Sequence, residues 1–144
     1  MGKSLLDLAE RLERRADKYN KEASELAVKV AITIVIDLAY QTPVDSSQAL
    51  SNWQASLDNP ENVPVFPYFP GFFGSTQRAS AEATIAAAKQ ILKGKRPGQV
   101  IFLSNVLPYI DRLNDGYSGQ TPAGFTERAV LLGKKVARAA KTKA

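Results

Sequence analysis

The sequence predicts an α+β protein: a long N-terminal helix, a small antiparallel sheet with a loop rich in proline and aromatic residues, an alanine-rich helix and a C-terminal helix. Apolar residues that recur every three or four positions predict the first and last helices, from Leu5 and from Phe125. Apolar and polar residues alternate from Trp53 to Asp58, which predicts a half-buried strand. The length of 144 residues suits one domain with its own core, and we expect residues 1–144 to form it.

The composition removes several kinds of chemistry. The chain has no cysteine and no histidine, so it has no disulfide, no thiolate metal site and no imidazole general base. Its net charge is +5 and its pI is about 9.5, which permits contact with DNA or an acidic partner. The charged, amphipathic N-terminus does not resemble a signal peptide. The most apolar run, Leu26 to Tyr40, contains charged residues and is too short to span a bilayer.

The first helix is predicted over residues 4–41, with Ser4 as a cap and Pro43 just beyond its end. Its length of about 55 Å exceeds the diameter of a compact domain of this size, so we expect residues 1–25 to project. The first half is charged on all faces but one. The second half is apolar nearly all round, so it should be buried, in part by another copy of the chain. The β-branched run VAITIVI leaves a strand open as the alternative.

The next segment should contain a turn, a strand and a long loop. Pro43 fixes the turn, and Asp45 or Ser46 is predicted to cap a short helical turn over residues 47–50. After the strand, prolines exclude a central strand from the run NPENVPVFPYFPGFFGS. We call residues 64–73 the aromatic loop, and a monomer cannot easily bury all of its aromatic side chains. We therefore expect the aromatic loop to form an interface through Phe66, Tyr68, Phe69, Phe72 and Phe73.

The remainder is predicted as helix, strand, short helix and helix. The alanine-rich helix starts after Ser75 or Thr76 and stops at Gly94, and its small side chains permit close packing. The strand Gln99–Ser104 is apolar on both faces, which predicts a central strand covered twice. Gly116 closes the short helix. Thr121 and Pro122 should begin the last helix, whose apolar stripe is Phe125, Ala129, Leu132, Val136 and Ala140.

Residues 116–120, Gly-Tyr-Ser-Gly-Gln, nearly match the G-x-S-x-G motif of serine hydrolases. Gln120 replaces the last glycine, and no histidine exists to activate Ser118. Phosphate-binding and calcium-binding loops are absent from the sequence. The spacings of Asp111 with Asp115 and of Glu10 with Glu13 are more typical of solvated helix faces than of a cation site. We expect no enzymatic activity, no cofactor and no metal.

The C-terminal residues 134–144 form a basic helix end without acidic residues. Two interpretations remain open: a solvated end whose cations suit the helix dipole, or a contact with a phosphate backbone or an acidic surface. The residues concerned are Lys134, Lys135, Arg138, Lys141 and Lys143.

Three blocks of sequence resemble a known family. The first is Thr-Pro-Val-Asp-Ser-Ser at 42–47, the second is Asn-Trp at 52–53, and the third runs from Ile101 to Phe125 with I-F-L-S-N, L-P-Y, L-N-D-G-x-S-x-Q and P-A-G-F. They resemble the neck, or head–tail joining and tail-completion, proteins of tailed double-stranded DNA phages. Ser46 and Ser47 replace the usual Thr-Gly, Gly119 stands where lysine is common, and Thr121 where alanine is common. The resemblance covers most of the chain from residue 42 onward.

The resemblance implies a virion structural protein that forms a homo-oligomeric ring between head and tail, around the DNA channel. Its partners would be further copies of itself, other neck, head-closure and tail-terminator proteins, and packaged DNA, with assembly in the host cytoplasm. The alternative is a small basic protein that binds duplex DNA through residues 134–144. Besides the aromatic loop, the predicted assembly residues are Pro43, Asp45, Trp53, Asn105, Pro108, Tyr109, Leu113, Asn114, Gly116, Ser118, Gln120, Pro122, Gly124 and Phe125.

Individual roles can be assigned within this set. Asn105, Asn114 and Ser118 should pair with backbone groups in turns. Gly116 and Gly124 should supply conformations or close approaches that a side chain blocks. As core anchors we expect Trp53, Tyr109, Leu113 and Phe125.

Overall fold

The computed structural model describes residues 2–116 and 120–142 and has the predicted α+β architecture. Side chains are described for residues 4–116 and 120–140. Two strands pair in one small sheet, and helices supply most of the structure. The elements in chain order are α1 (Gly2–Gln41), α2 (Gln48–Ser51), β1 (Gln54–Leu57), α3 (Gln77–Leu92), β2 (Ile101–Ser104), α4 (Ile110–Asn114) and α5 (Phe125–Thr142).

Helix α1 is continuous over 40 residues, so the alternative of a strand at VAITIVI is wrong. Every side chain from residue 4 to residue 23 is exposed, and the first buried residue is Ser24. The N-terminal half of α1 therefore projects, as predicted. The second half is buried on the faces that meet α3 and α5, whereas Ile36 and Tyr40 remain exposed.

The core lies between the second half of α1 and the elements that surround it. Val35 packs with Leu92 of α3, and Leu38 packs with Phe125 of α5. The alanines of α3 permit this close packing, because Ala81 and Ala88 are buried against α1 and its neighbours. The same core positions the turn after α1 and the loops on either side of the sheet.

Strands β1 and β2 pair antiparallel, with Gln54 opposite Ser104 and Leu57 opposite Ile101. The prediction of a central, doubly covered β2 is wrong, because the sheet in the described residues has two strands and β2 is half-buried along its length. It also begins at Ile101 instead of Gln99. The Asp58 carboxylate accepts hydrogen bonds from the Val100 amide and the Gln99 side chain, which ends the regular ladder there.

Two predicted helix starts differ from the structure. Ser47, at φ 69°, precedes α2, instead of Asp45 or Ser46, and makes no side-chain capping bond to it. Helix α5 begins at Phe125, and Pro122 lies before it in the turn. The predicted apolar stripe of α5 is correct at Phe125 and Ala129, but Leu132 is exposed. Gly133 takes its place against α1.

Candidate assembly surface

The turn after α1 is joined to the segment before α5 by one side chain. The Val44 amide donates to Gln120 Oε1 at 2.9 Å, and Gln120 Nε2 donates to the Val44 carbonyl at 2.8 Å. The neighbouring Thr121 hydroxyl donates to the Gln41 carbonyl at 2.6 Å. The first and third sequence blocks therefore form one hydrogen-bonded unit, through two residues that lie 76 positions apart in the sequence.

Two asparagines pair with backbone groups as predicted. Asn105 donates to the Ala49 carbonyl at 2.9 Å and accepts from the Leu107 amide at 3.2 Å. Asn114 accepts from the Thr126 amide at 3.0 Å, so it caps the first turn of α5 from outside the helix. Ser118, the third residue assigned this role, lies outside the described residues.

The first turn of α5 also carries a perturbed carboxylate. The hydrogen bond from its own backbone amide lowers the pKa of Glu127, and the Asn114 side chain donates to both carboxylate oxygens, at 3.0 and 3.1 Å. This is an ordinary arrangement at a helix N-terminus, where a negative charge faces unpaired amides. Its contribution is to order the turn.

Glycine is required at the two predicted positions. Gly116 and Gly124 have φ values of 89° and 82°, a region that side chains disfavour. A Cβ atom on Gly116 would also lie 3.2 Å from the Cβ atom of Ala123. These glycines let the chain reverse between α4 and α5.

The anchors of the segment divide into buried and exposed residues. Phe125 is fully buried and Leu113 packs against the same cluster, which confirms both as core anchors. Tyr109 is 38% exposed, so it anchors the segment only in part, and partial burial raises the pKa of its phenol. Pro43 is buried in the turn, whereas Pro108 and Pro122 are exposed. Phe125 and Pro43 therefore cannot present themselves to a partner in this conformation.

Trp53 lies beneath the same turn. It is half-buried, packs against the Leu38 cluster and donates from its indole Nε1 to the Thr42 hydroxyl at 2.8 Å. The Thr42 hydroxyl in turn donates to the Leu38 carbonyl at 2.5 Å. Trp53 is thus a core anchor, as expected, and connects β1 to the end of α1.

The backbone of the aromatic loop is held by four polar side chains, three of which are buried. Asn52 accepts from the Val65 amide at 2.8 Å and donates to its carbonyl at 2.9 Å. The hydroxyls of Ser51 and Ser80 accept from the amides of Tyr68 and Phe69 at 3.1 and 3.2 Å, and the Asp45 carboxylate accepts from the Phe73 amide at 2.7 Å. Asn52, Ser51 and Ser80 are completely buried. The loop is therefore ordered although it lacks helix and strand.

Sequence reasoning missed the buried serines, Ser51 and Ser80. The available signal was small polar residues at positions that otherwise face the core. Such residues must find a hydrogen-bonding partner, and here the partner is the backbone of the aromatic loop.

The aromatic side chains of the loop point into solvent. Phe66 is 92% exposed, Phe72 is 78% exposed and Phe73 is 96% exposed. Tyr68 and Phe69 are partly covered, at 40% and 49%. Phe73 also has a positive φ of 57°, which is unfavourable for an aromatic residue. The loop thus presents exposed apolar side chains on a backbone that is held by hydrogen bonds.

The basic end of α5 is exposed at Lys134, Lys135 and Arg138. The side chain of Lys141 and all of Lys143 lie outside the described part of the chain. Lys135 lines a small depression with Asp37, whose pKa is raised by burial and lowered to a smaller extent by Arg128.

Among the residues whose structure is described, no group of three or more histidine, cysteine, aspartate or glutamate side chains is placed to hold a metal ion. Within the same ranges no helix is long and apolar enough to cross a membrane. No family model, curated protein or solved structure matches the chain.

Proposed function

We propose that this protein is a structural subunit of the neck of a tailed phage, where copies of it form a ring that joins head to tail around the DNA channel. The observation that carries the proposal is the aromatic loop. Hydrogen bonds to the side chains of Asn52 and Asp45 hold its backbone, yet Phe66 and Phe73 are more than nine-tenths exposed. A partner that covers these side chains removes apolar surface from water without first having to order the loop.

The sequence blocks that resemble neck proteins support the same proposal. They meet in space through Gln120 and Val44, and Asp45 of the first block bonds to the aromatic loop. The resembling residues therefore build the support of the exposed surface. A ring subunit needs such a support and needs no catalytic group.

The proposed partners are other copies of the chain, neck, head-closure and tail-terminator proteins, and DNA in the channel. The place of action is the virion, after assembly in the host cytoplasm. Neighbours in a ring contact each other head to tail, through two different surfaces of each subunit. The aromatic loop supplies one of these surfaces.

The test is particle assembly with and without the protein. Phage lysates that lack it should contain filled heads and separate tails by electron microscopy, and adding back the purified protein should join them. Adding back a variant with Phe66→Ser and Phe73→Asn should fail, although the variant folds. Joined, infectious particles formed without the protein would refute the proposal.

The exposed cations of α5 favour a second candidate, binding of the phosphate backbone of duplex DNA. Deleting residues 134–144 is a poor test of this candidate, because the deletion also removes Ala137 and Ala140, which line a groove against α1. Neutralising Lys134, Lys135 and Arg138 to glutamine preserves the helix. This candidate predicts duplex binding that weakens steeply with salt and whose salt dependence falls in the neutralised variant.

A further inference from the structure

Helix α1 has one apolar face that runs past the end of the folded core. Leu5, Leu8 and Leu12 are 71%, 49% and 56% exposed, although they continue the stripe that Leu26 and Val30 extend toward the core. An isolated helix gains nothing from such a stripe in water, so its spacing indicates that another helix covers it.

The same face becomes the floor of a groove farther along α1. The groove has a volume of about 780 Å³, and its floor is formed by α1 from Tyr19 to Ile34. One side is formed by residues near β2, such as Val100, and the other by Ala137 and Ala140 of α5. The projecting stripe and the open groove thus lie on one face of one helix.

We propose that a second copy of the chain fills this groove, with the two α1 helices antiparallel, so that the projecting half of each helix lies in the groove of the other. The overlap from residue 5 to residue 30 is about 39 Å long at 1.5 Å per residue. This contact goes beyond the proposed neck function and does not depend on it.

The stripe itself fixes the register of the pair. One antiparallel alignment places every stripe residue against another stripe residue: Leu5 opposite the partner's Val30, Leu8 opposite the partner's Ala27, Ala9 opposite the partner's Leu26, Leu12 opposite the partner's Ala23, and Ala16 opposite the partner's Tyr19. In all but the first of these pairs a large side chain faces alanine. Alternation of large and small residues lets helices approach closely and interdigitate.

Charges on one flank of α1 agree with this register. It sets Arg15 beside the partner's Glu22. Both side chains are exposed in the single chain, so they can pair across the contact. The pair occurs twice because the contact has two-fold symmetry.

Taken together with the proposed neck ring, the two-fold contact has a consequence for assembly, although the contact itself does not rest on that ring. A ring whose two sides face head and tail has no two-fold axis across it, so the pair must open when subunits enter the ring. The antiparallel pair is therefore a form of the free protein. In this form, the apolar face of α1 is covered before assembly.

The absence of cysteine permits a clean crosslinking test. We expect a short bismaleimide to join a Leu12→Cys variant to an Ala23→Cys variant when the two are mixed, and neither to itself. The matched control is a mixture of Arg14→Cys and Lys21→Cys, which have the same axial register on the outer face of α1. Equal crosslinking of both mixtures, or none in the first, would overturn the pairing.

The same substitutions distinguish a two-fold pair from a one-way contact. A single chain with both Leu12→Cys and Ala23→Cys should give a doubly linked dimer and nothing larger. A ladder of trimers and higher species would show instead that the stripe enters the groove of the next copy head to tail, and would overturn the proposal.

Charge reversal tests the register independently. Arg15→Glu and Glu22→Arg should each weaken dimerisation about tenfold in sedimentation equilibrium at low salt, because each change sets like charges together twice. Combining them should restore the wild-type dissociation constant. A combined variant no better than the single variants would overturn the register.

Discussion

Gln120 shows how one side chain can join two distant segments. Its side chain both accepts from the amide and donates to the carbonyl of Val44, which is only 3% exposed. Loss of the Gln120 side chain therefore leaves these two backbone groups of Val44 unpaired. We predict that Gln120→Ala lowers the free energy of unfolding by about 2 kcal/mol, measured in urea. Gln90→Ala, on the exposed face of α3, is the control and should have little effect.

Trp53 combines packing with a hydrogen bond, and two substitutions separate the contributions. Trp53→Ala should cost about 3 kcal/mol or more, because it removes an indole from the Leu38 cluster. Trp53→Phe retains most of the ring and loses the bond to Thr42, so it should cost about 1 kcal/mol. If Trp53→Ala left stability intact and abolished assembly alone, Trp53 would belong to an interface instead.

At the scale of residues, the sequence predicted roles that depend on local chemistry. Asn105 and Asn114 lie in turns where amide side chains ordinarily bond to backbone groups, and they do so here. The pairing of Gln120 with Val44 depends on a contact between distant segments, which no local pattern encodes. For the same reason the sequence did not predict the hydrogen bond of Ser80, whose partner lies in the aromatic loop.

At the scale of elements, the packing of α5 on α1 depends on Gly133. A Cβ atom at this position would lie 2.6 Å from Ile34 Cδ1 and 2.7 Å from Ile34 Cγ1. We predict that Gly133→Ala lowers the free energy of unfolding by about 1 kcal/mol, since overpacking exceeds the gain in helix propensity.

A double-mutant cycle tests this explanation of Gly133. Ile34→Ala alone creates a cavity, but in the Gly133→Ala background it also relieves the overlap. The two substitutions together should therefore cost less than the sum of their separate costs. Strictly additive costs would contradict direct contact as the cause.

Element types were more predictable than element boundaries. Periodicity identified α1, β1, α3 and α5, because each has a face that must be buried. The exposed edge of β2 was not predictable, since an apolar strand gives the same signal whether or not a second neighbour exists. The start of α5 shifted from Pro122 to Phe125 because Gly124 turns the chain and Asn114 supplies the cap from another element.

At the scale of the whole molecule, two kinds of aromatic residue should behave oppositely. Phe66→Ser with Phe73→Asn should leave the free energy of unfolding unchanged or slightly raised, because asparagine tolerates the positive φ of residue 73. The same variant should no longer form rings in negative-stain images. Phe125→Ala, in the core, should instead cost about 3 to 5 kcal/mol.

The protease sensitivity of the projecting half of α1 can also report whether the protein is associated. A helix of about 20 residues that lacks packing opens often enough in water to admit a protease. Trypsin cuts after basic residues, and the exposed segment offers Arg11, Arg14, Arg15, Lys18 and Lys21. A free chain should therefore be trimmed rapidly to a resistant fragment that begins near Ser24. Any partner that covers this helix will slow the trimming, so the cleavage rate measures how much of the protein is bound at each concentration.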